Sequence, residues 1–115
     1  MADSILLTLA RDSIVEVIEA KRIINITKLL EEHPLLGEII GVGVFIFVGE
    51  ELHGSFETDN LPLIDGVILC AKKAAFEGEK VLSTSEYIAC EVEVQLHTQE
   101  GVIKERDHAL QFSLM

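Results

Sequence analysis

The stretch GVGVFIFVGE, Gly41 to Glu50, constrains the fold more than any other part of the chain. Val42, Val44, Ile46 and Val48 fall on one parity, while Phe45 and Phe47 fall on the other. Successive side chains of a strand point to opposite faces, so apolar residues on both parities predict a central strand covered on both sides. Gly49-Glu50-Glu51 then reads as a turn, and Leu52 to Glu57 as the returning arm of a hairpin. The nearly uncharged run from Ile39 to Gly49 is far shorter than the ~20 residues needed to span a bilayer.

The flanking segments carry a different period. Leu6, Leu9, Ala10, Ile14, Val17 and Ile18 recur at steps of three and four, which predicts a helix with one buried face. Asp3 or Ser4 is suited to cap its start, and Lys21 and Arg22 to complement the negative pole near its end. Thr27 opens a short helical stretch over Lys28 to His33, which Pro34 stops. In TDNLPLIDGVILCAKKAAFEGE the pattern predicts a second principal helix, capped by Asp59 or Asn60, with Pro62 in its first turn and Gly78 at its end. Its buried stripe is Leu63, Val67, Cys70, Ala71, Ala74 and Ala75, and Gly66 costs it about 1 kcal/mol relative to alanine. Ser83 to Glu86 reads as a loop with a helical turn.

CEVEVQLHT alternates strictly, with Val92, Val94 and Leu96 inward and Glu91, Glu93, Gln95 and His97 outward. Gln99-Glu100-Gly101 turns the chain into Val102 to Arg106, and Leu110, Phe112 and Leu114 mark a final strand. Helix, strands, helix, strands, joined by hairpin-length connections, predict a single α+β domain over residues 1–115 with a mainly antiparallel sheet and two principal helices packed on it.

Composition limits the partners. Twenty acidic residues against nine basic ones give a net charge of −11, which repels phosphate backbones and anionic lipid, so neither nucleic acid nor membrane is expected. Cys70 and Cys90 form no Cys-x-x-Cys pair and have no histidine at metal-ligand spacing, so they read as buried thiols of a cytoplasmic protein. The four histidines, His33, His53, His97 and His108, form no local pair, and neither a metal nor a cofactor is expected.

With these pieces placed, the chain resembles the AMMECR1 domain family. LLTLARDSI is similar to that family's opening helix, and LIDGVILCAKKAAFEGE to a helix ending in Ala-Ala-Phe and an acidic residue. CEVEVQLHT is similar to a strand of alternating acids and aliphatics. GVFIFVGEELHGSFE lines up with a hydrophobic strand, a short turn and the hallmark Leu-Arg-Gly-Cys-Ile-Gly. Here that hexapeptide is Leu52-His53-Gly54-Ser55-Phe56-Glu57: leucine and the first glycine are kept, while His53, Ser55 and Glu57 replace arginine, cysteine and the second glycine. Relative to the family the chain is shorter on its C-terminal side. The resemblance therefore implies a sheet left uncompleted, covered by a second copy or another protein. It also implies a regulatory or interaction role more readily than a reaction.

The candidate ligand or partner site is His53, Gly54, Ser55 and Glu57. Alternate positions on a regular strand start ~6.6 Å apart, whereas a nucleophile and its base must come within ~3 Å, so a binding role is favoured over a hydrolytic one. Ser55 also lacks the Gly-x-Ser-x-Gly elbow. Gly54 predicts a bulge or the close approach of another backbone. Cys90, with no cation beside it in sequence, is not expected to be reactive. The glycines of GVGVFIFVG sit within a strand and imply no phosphate-binding loop. Two other readings share these residues: an enzyme acting through Leu52 to Glu57, and a dimeric scaffold of the profilin-like roadblock type.

Overall fold

A computed structural model describes residues 4–78 and 80–108. The elements follow in the order α1 (Ile5–Ile18), α2 (Ile26–Glu32), a short 3-10 turn (Pro34–Gly37), β1 (Gly41–Val48), β2 (Glu51–Thr58), α3 (Leu63–Phe76), α4 (Thr84–Ala89), β3 (Cys90–Thr98) and β4 (Gly101–Arg106). The strands make one antiparallel sheet in the order β2-β1-β3-β4. The fold is α+β, as the pattern predicts. The final strand expected around Leu110, Phe112 and Leu114 lies outside the described residues.

Helices α1 and α3 pack on one face of this sheet. Val42, Val44 and Ile46 of β1 and Val92 and Val94 of β3 meet Leu6, Leu9, Ala10 and Ile14 of α1 and Val67, Cys70, Ala71 and Ala74 of α3. Small residues let α3 approach closely: a Cβ at Gly66 would stand 2.8 Å from Val42 Cγ1. The cost of glycine in this helix is therefore offset by contact with the sheet. The opposite face differs from expectation. Phe45 and Phe47 are only half-buried, and no other element among the described residues covers them. Among the described residues the central strand is thus covered on one side only, because both principal helices use the valine face.

Several caps also differ in detail. Ser4 Oγ accepts from the Leu7 N–H at 3.2 Å and caps α1. The helix ends at Ile18, before Lys21 and Arg22, so neither lies in its last turn. Ala20 takes a left-handed conformation at φ 53°, and the Lys21 N–H reaches back to the Glu16 carbonyl at 3.1 Å, closing a Schellman-type end. Asn25, not Thr27, caps α2. Neither Asp59 nor Asn60 caps α3. Pro62 holds that position, paired with Ile39, and the Leu63 N–H donates to the Glu38 carbonyl at 2.8 Å. A tertiary contact takes over the role of a side-chain cap. Ser83 and Glu86 close a complete capping box on α4.

Candidate functional site

The hairpin β1–β2 sets the geometry of the candidate residues. Ile46 pairs with Gly54, but Phe47 pairs with Leu52, so His53 is the extra residue of a bulge. The bulge separates the three polar side chains that alternate in sequence. His53 turns toward the helix layer, where its Nε2 lies 3.1 Å from the Ala75 carbonyl near the end of α3. Ser55 and Glu57 point to the opposite face, in register with Phe45 and Gly43. Gly54 satisfies both expectations at once: it follows the bulge, and a Cβ there would overlap the carbonyl oxygen of Ala74. His53 shares a cleft of about 250 Å³ with Val48, Glu51, Leu52, Lys80 and Glu86. The N–H and hydroxyl of Ser83 hold the Glu86 carboxyl below its usual range, with the His53 and Lys80 charges adding to the effect.

Glu57 and Ser55 belong to the uncovered face. From β2 to β4 one row reads Ser55, Phe45, Glu93, Arg106, and the next reads Glu57, Gly43, Gln95, Lys104. Glu57 Oε2 reaches across β1 to His97 Nε2 on β3, at 3.4 Å. The two glycines of β1 make that reach feasible. A Cβ at Gly43 would stand 2.7 Å from Glu57 Cγ, and one at Gly41 would stand 3.2 Å from His97 Cβ. Their role is a shallow trough for side chains rather than a phosphate loop. Arg106 lies over the Phe47 ring at 4.0 Å and pairs with Glu93 at 3.0 Å and Glu91 at 3.4 Å. Partial burial works against the Glu93 charge, but Gln95 and Arg106 hold its carboxyl below the usual range.

A buried polar cluster escapes the sequence reading altogether. Arg11 is buried on α1, and its Nε and Nη2 donate to the two oxygens of Asp107 at 2.7 and 3.0 Å. It also donates to the carbonyls of Cys90 at 2.8 Å and Tyr87 at 3.1 Å. Asp107 in turn accepts from the Val92 N–H at 2.8 Å. Cys90 is buried, as expected of it, but a cation remote in sequence stands beside it: Arg11 Nη1 lies 3.5 Å from its sulfur. Burial still pushes its thiol up, with Arg11 opposing. Cys70 is buried as expected, and burial pushes its thiol up to about 11. The sequence does hold one signal for this cluster. Arg11 stands four residues after Leu7 and three before Ile14, which puts a charge on a buried helical stripe.

Among the described residues no group of three or more histidine, cysteine or acidic side chains is arranged to hold a metal ion. No helix among the described residues is long and apolar enough to cross a membrane.

No family model matches the chain, and no curated protein matches it. It is similar to a solved structure, that of the uncharacterized protein PH0010 from Pyrococcus horikoshii, with a TM-score of 0.69 and 26% sequence identity. The match covers 79% of this chain and 48% of the other, so the chain spans about half the length of that protein.

Proposed function

We propose that the chain is a non-enzymatic binding module of the AMMECR1 type, whose open sheet face receives a protein partner. The observation that carries this reading is the face itself. Half-buried Phe45 and Phe47 run down its centre, Leu52 is 52% exposed and Val102 is 52% exposed at its margins. Charged residues are interleaved with them: Glu93 and Glu91 on the interior strand β3 are the direct neighbours of Phe45 and Phe47, and Glu57, Lys104 and Arg106 lie on the two edge strands. Exposed apolar side chains gathered on one uncovered sheet face are the feature that marks a surface for a partner.

The competing reading, an enzyme acting through Leu52 to Glu57, is weakened by the bulge. His53 and Ser55 lie on opposite sides of the sheet, so neither can serve the other as base and nucleophile.

Affinity capture with the wild-type chain and with Phe47→Asp, followed by mass spectrometry, tests the proposal. A partner retained by the wild type and lost with Phe47→Asp, but kept by Val17→Asp on the far side of α1, is the expected result. Identical retention by all three, with folding verified by circular dichroism, would overturn it.

A further inference from the structure

We infer that residues 22–33 form a strap that opens as a unit while the sheet stays folded, with Glu16 as its latch, and that opening uncovers the apolar surface of α1 and α3 beneath it. The strap lies on the helix side, away from the open sheet face, so the inference stands apart from the binding reading above.

Very little holds the strap down. From residue 19 to residue 35 no side chain is buried, and only Ile24, Leu29 and Leu30 are half-buried. Helix α2 buries no residue, whereas α1 buries seven and α3 eight. Empty space separates the strap from its neighbours. A gap of about 280 Å³ lies between α2 and Ile5 and Leu9 of α1, and an open cleft of about 810 Å³ lies between the preceding loop and Ile68 of α3. Few buried apolar contacts and unfilled space are the marks of a segment that opens at far lower cost than the whole domain.

One side chain supplies the polar anchor. Glu16 Oε2 accepts from the Ile23 N–H at 2.8 Å and the Ile24 N–H at 2.9 Å, while its Oε1 pairs with Lys72 of α3 at 3.0 Å. Among the described residues no other side chain from outside the strap hydrogen-bonds to it. Both ends are fixed. Ala20 turns the chain at φ 53° just after α1, and Leu36, 3% exposed, returns it to the core. Helix α2 has seven residues, and helices shorter than ~12–15 do not persist alone, so lifting the strap melts it.

Amide hydrogen exchange followed by NMR on the wild-type chain reads the opening. The reporters are the N–H groups of Ile23, Ile24, Leu29 and His33, all hydrogen-bonded in the closed form. Corrected for intrinsic rates, they should share one protection factor, at least ~100-fold below that of the β1 and β3 amides. Low urea should hardly move it, because opening exposes little surface, while the core amides follow the full unfolding slope. Glu16→Ala removes the acceptor of two N–H groups and should speed the reporters at least ~10-fold. Ile46→Val weakens the core and should speed the β1 and β3 amides ~2–10-fold, leaving the reporters unchanged. As a second readout, Leu9→Cys puts a thiol beneath the strap. A maleimide should label it at least ~10-fold faster than Cys70 and Cys90, which are fully buried and respond only to global unfolding.

Reporters as protected as the β1 amides, with the same urea slope, overturn the strap. Their acceleration in step with the core in Ile46→Val does the same. Reporters unmoved by Glu16→Ala remove the latch, and a thiol at position 9 that reacts no sooner than Cys70 and Cys90 overturns access to the surface beneath.

Discussion

Replacing Asp107 with alanine should destabilise the fold more than any surface change, and the structure allows the size to be worked out. The Arg11 guanidinium is only 6% exposed, and Asp107 supplies two of its hydrogen bonds and its counter-charge. Burial alone would lower the Arg11 pKa; the Asp107 hydrogen bond and charge more than reverse that. Without Asp107 a desolvated cation is left with carbonyl dipoles, the Cys90 sulfur and the Tyr87 ring but no counter-charge in hydrogen-bond reach, and the Val92 N–H loses its acceptor. Breaking one partner of a buried pair costs about 3–5 kcal/mol. Domains of this size have about 5–15 kcal/mol in total, so up to half or more is lost. At about 4 °C per kcal/mol, the midpoint should fall by roughly 12–20 °C. Urea and thermal unfolding followed by circular dichroism measure this in Asp107→Ala, Arg11→Met and Arg11→Met/Asp107→Leu. The double variant, with both charges gone, should lose markedly less than the sum of the singles. A loss below about 1 kcal/mol in Asp107→Ala, or simple additivity, would refute the reasoning.

Glu16 gives a pH signature. Partial burial opposes its charge, but the Ile24 and Ile23 N–H groups and the Lys72 ammonium pull its carboxyl from 4.5 to about 2. A lowered folded value means its stabilisation is full above about pH 4.5 and is lost as pH falls through about 2. Linkage puts the effect near 3 kcal/mol, trimmed to about 2 because Lys72 is partly exposed. Glu16→Gln should be less stable at pH 7 and show a flatter acid limb; parallel urea-midpoint profiles would contradict this. Gly54→Ala should cost about 2–4 kcal/mol in urea unfolding, because its Cβ displaces the Ala74 carbonyl. Ser55→Ala, exposed on the next position, should stay within about 0.5 kcal/mol, and equal effects would dismiss the close approach. Ala20→Gly relieves a left-handed residue at φ 53° and should stabilise by about 0.5–1 kcal/mol; a loss of stability would argue against the helix end described.

The parts of the fold legible in the sequence are those governed by near neighbours. Val42, Val44 and Ile46 share a parity, so they share a face wherever the strand lies. The stripes of α1 and α3 follow from a 3.6-residue period, and turn residues delimit the two hairpins. From these alone the α+β class and the hairpin order follow.

The site was less legible, because it depends on pairing across the chain. A strand pattern assumes unbroken alternation, and the bulge at His53 breaks it by one residue, sending Ser55 and Glu57 to the other face. Gly54 signals a bulge locally, but that His53 is the extra residue, and which side chains it turns away, emerges only from the pairing with β1 and the close approach of α3 at Ala74. Phe45 and Phe47 carry the same apolar signal as the valines, yet the helices cover only one face, and only packing decides which.

Alternation and helical stripes are readable from the order of residues alone, because side-chain direction along one element is set by backbone geometry. Which residues from distant elements meet is settled by tertiary packing: Arg11 with Asp107, and Glu57 with His97 over Gly41 and Gly43. Those meetings are set by sheet register and by the depth at which helices dock, both of which are properties of the whole core.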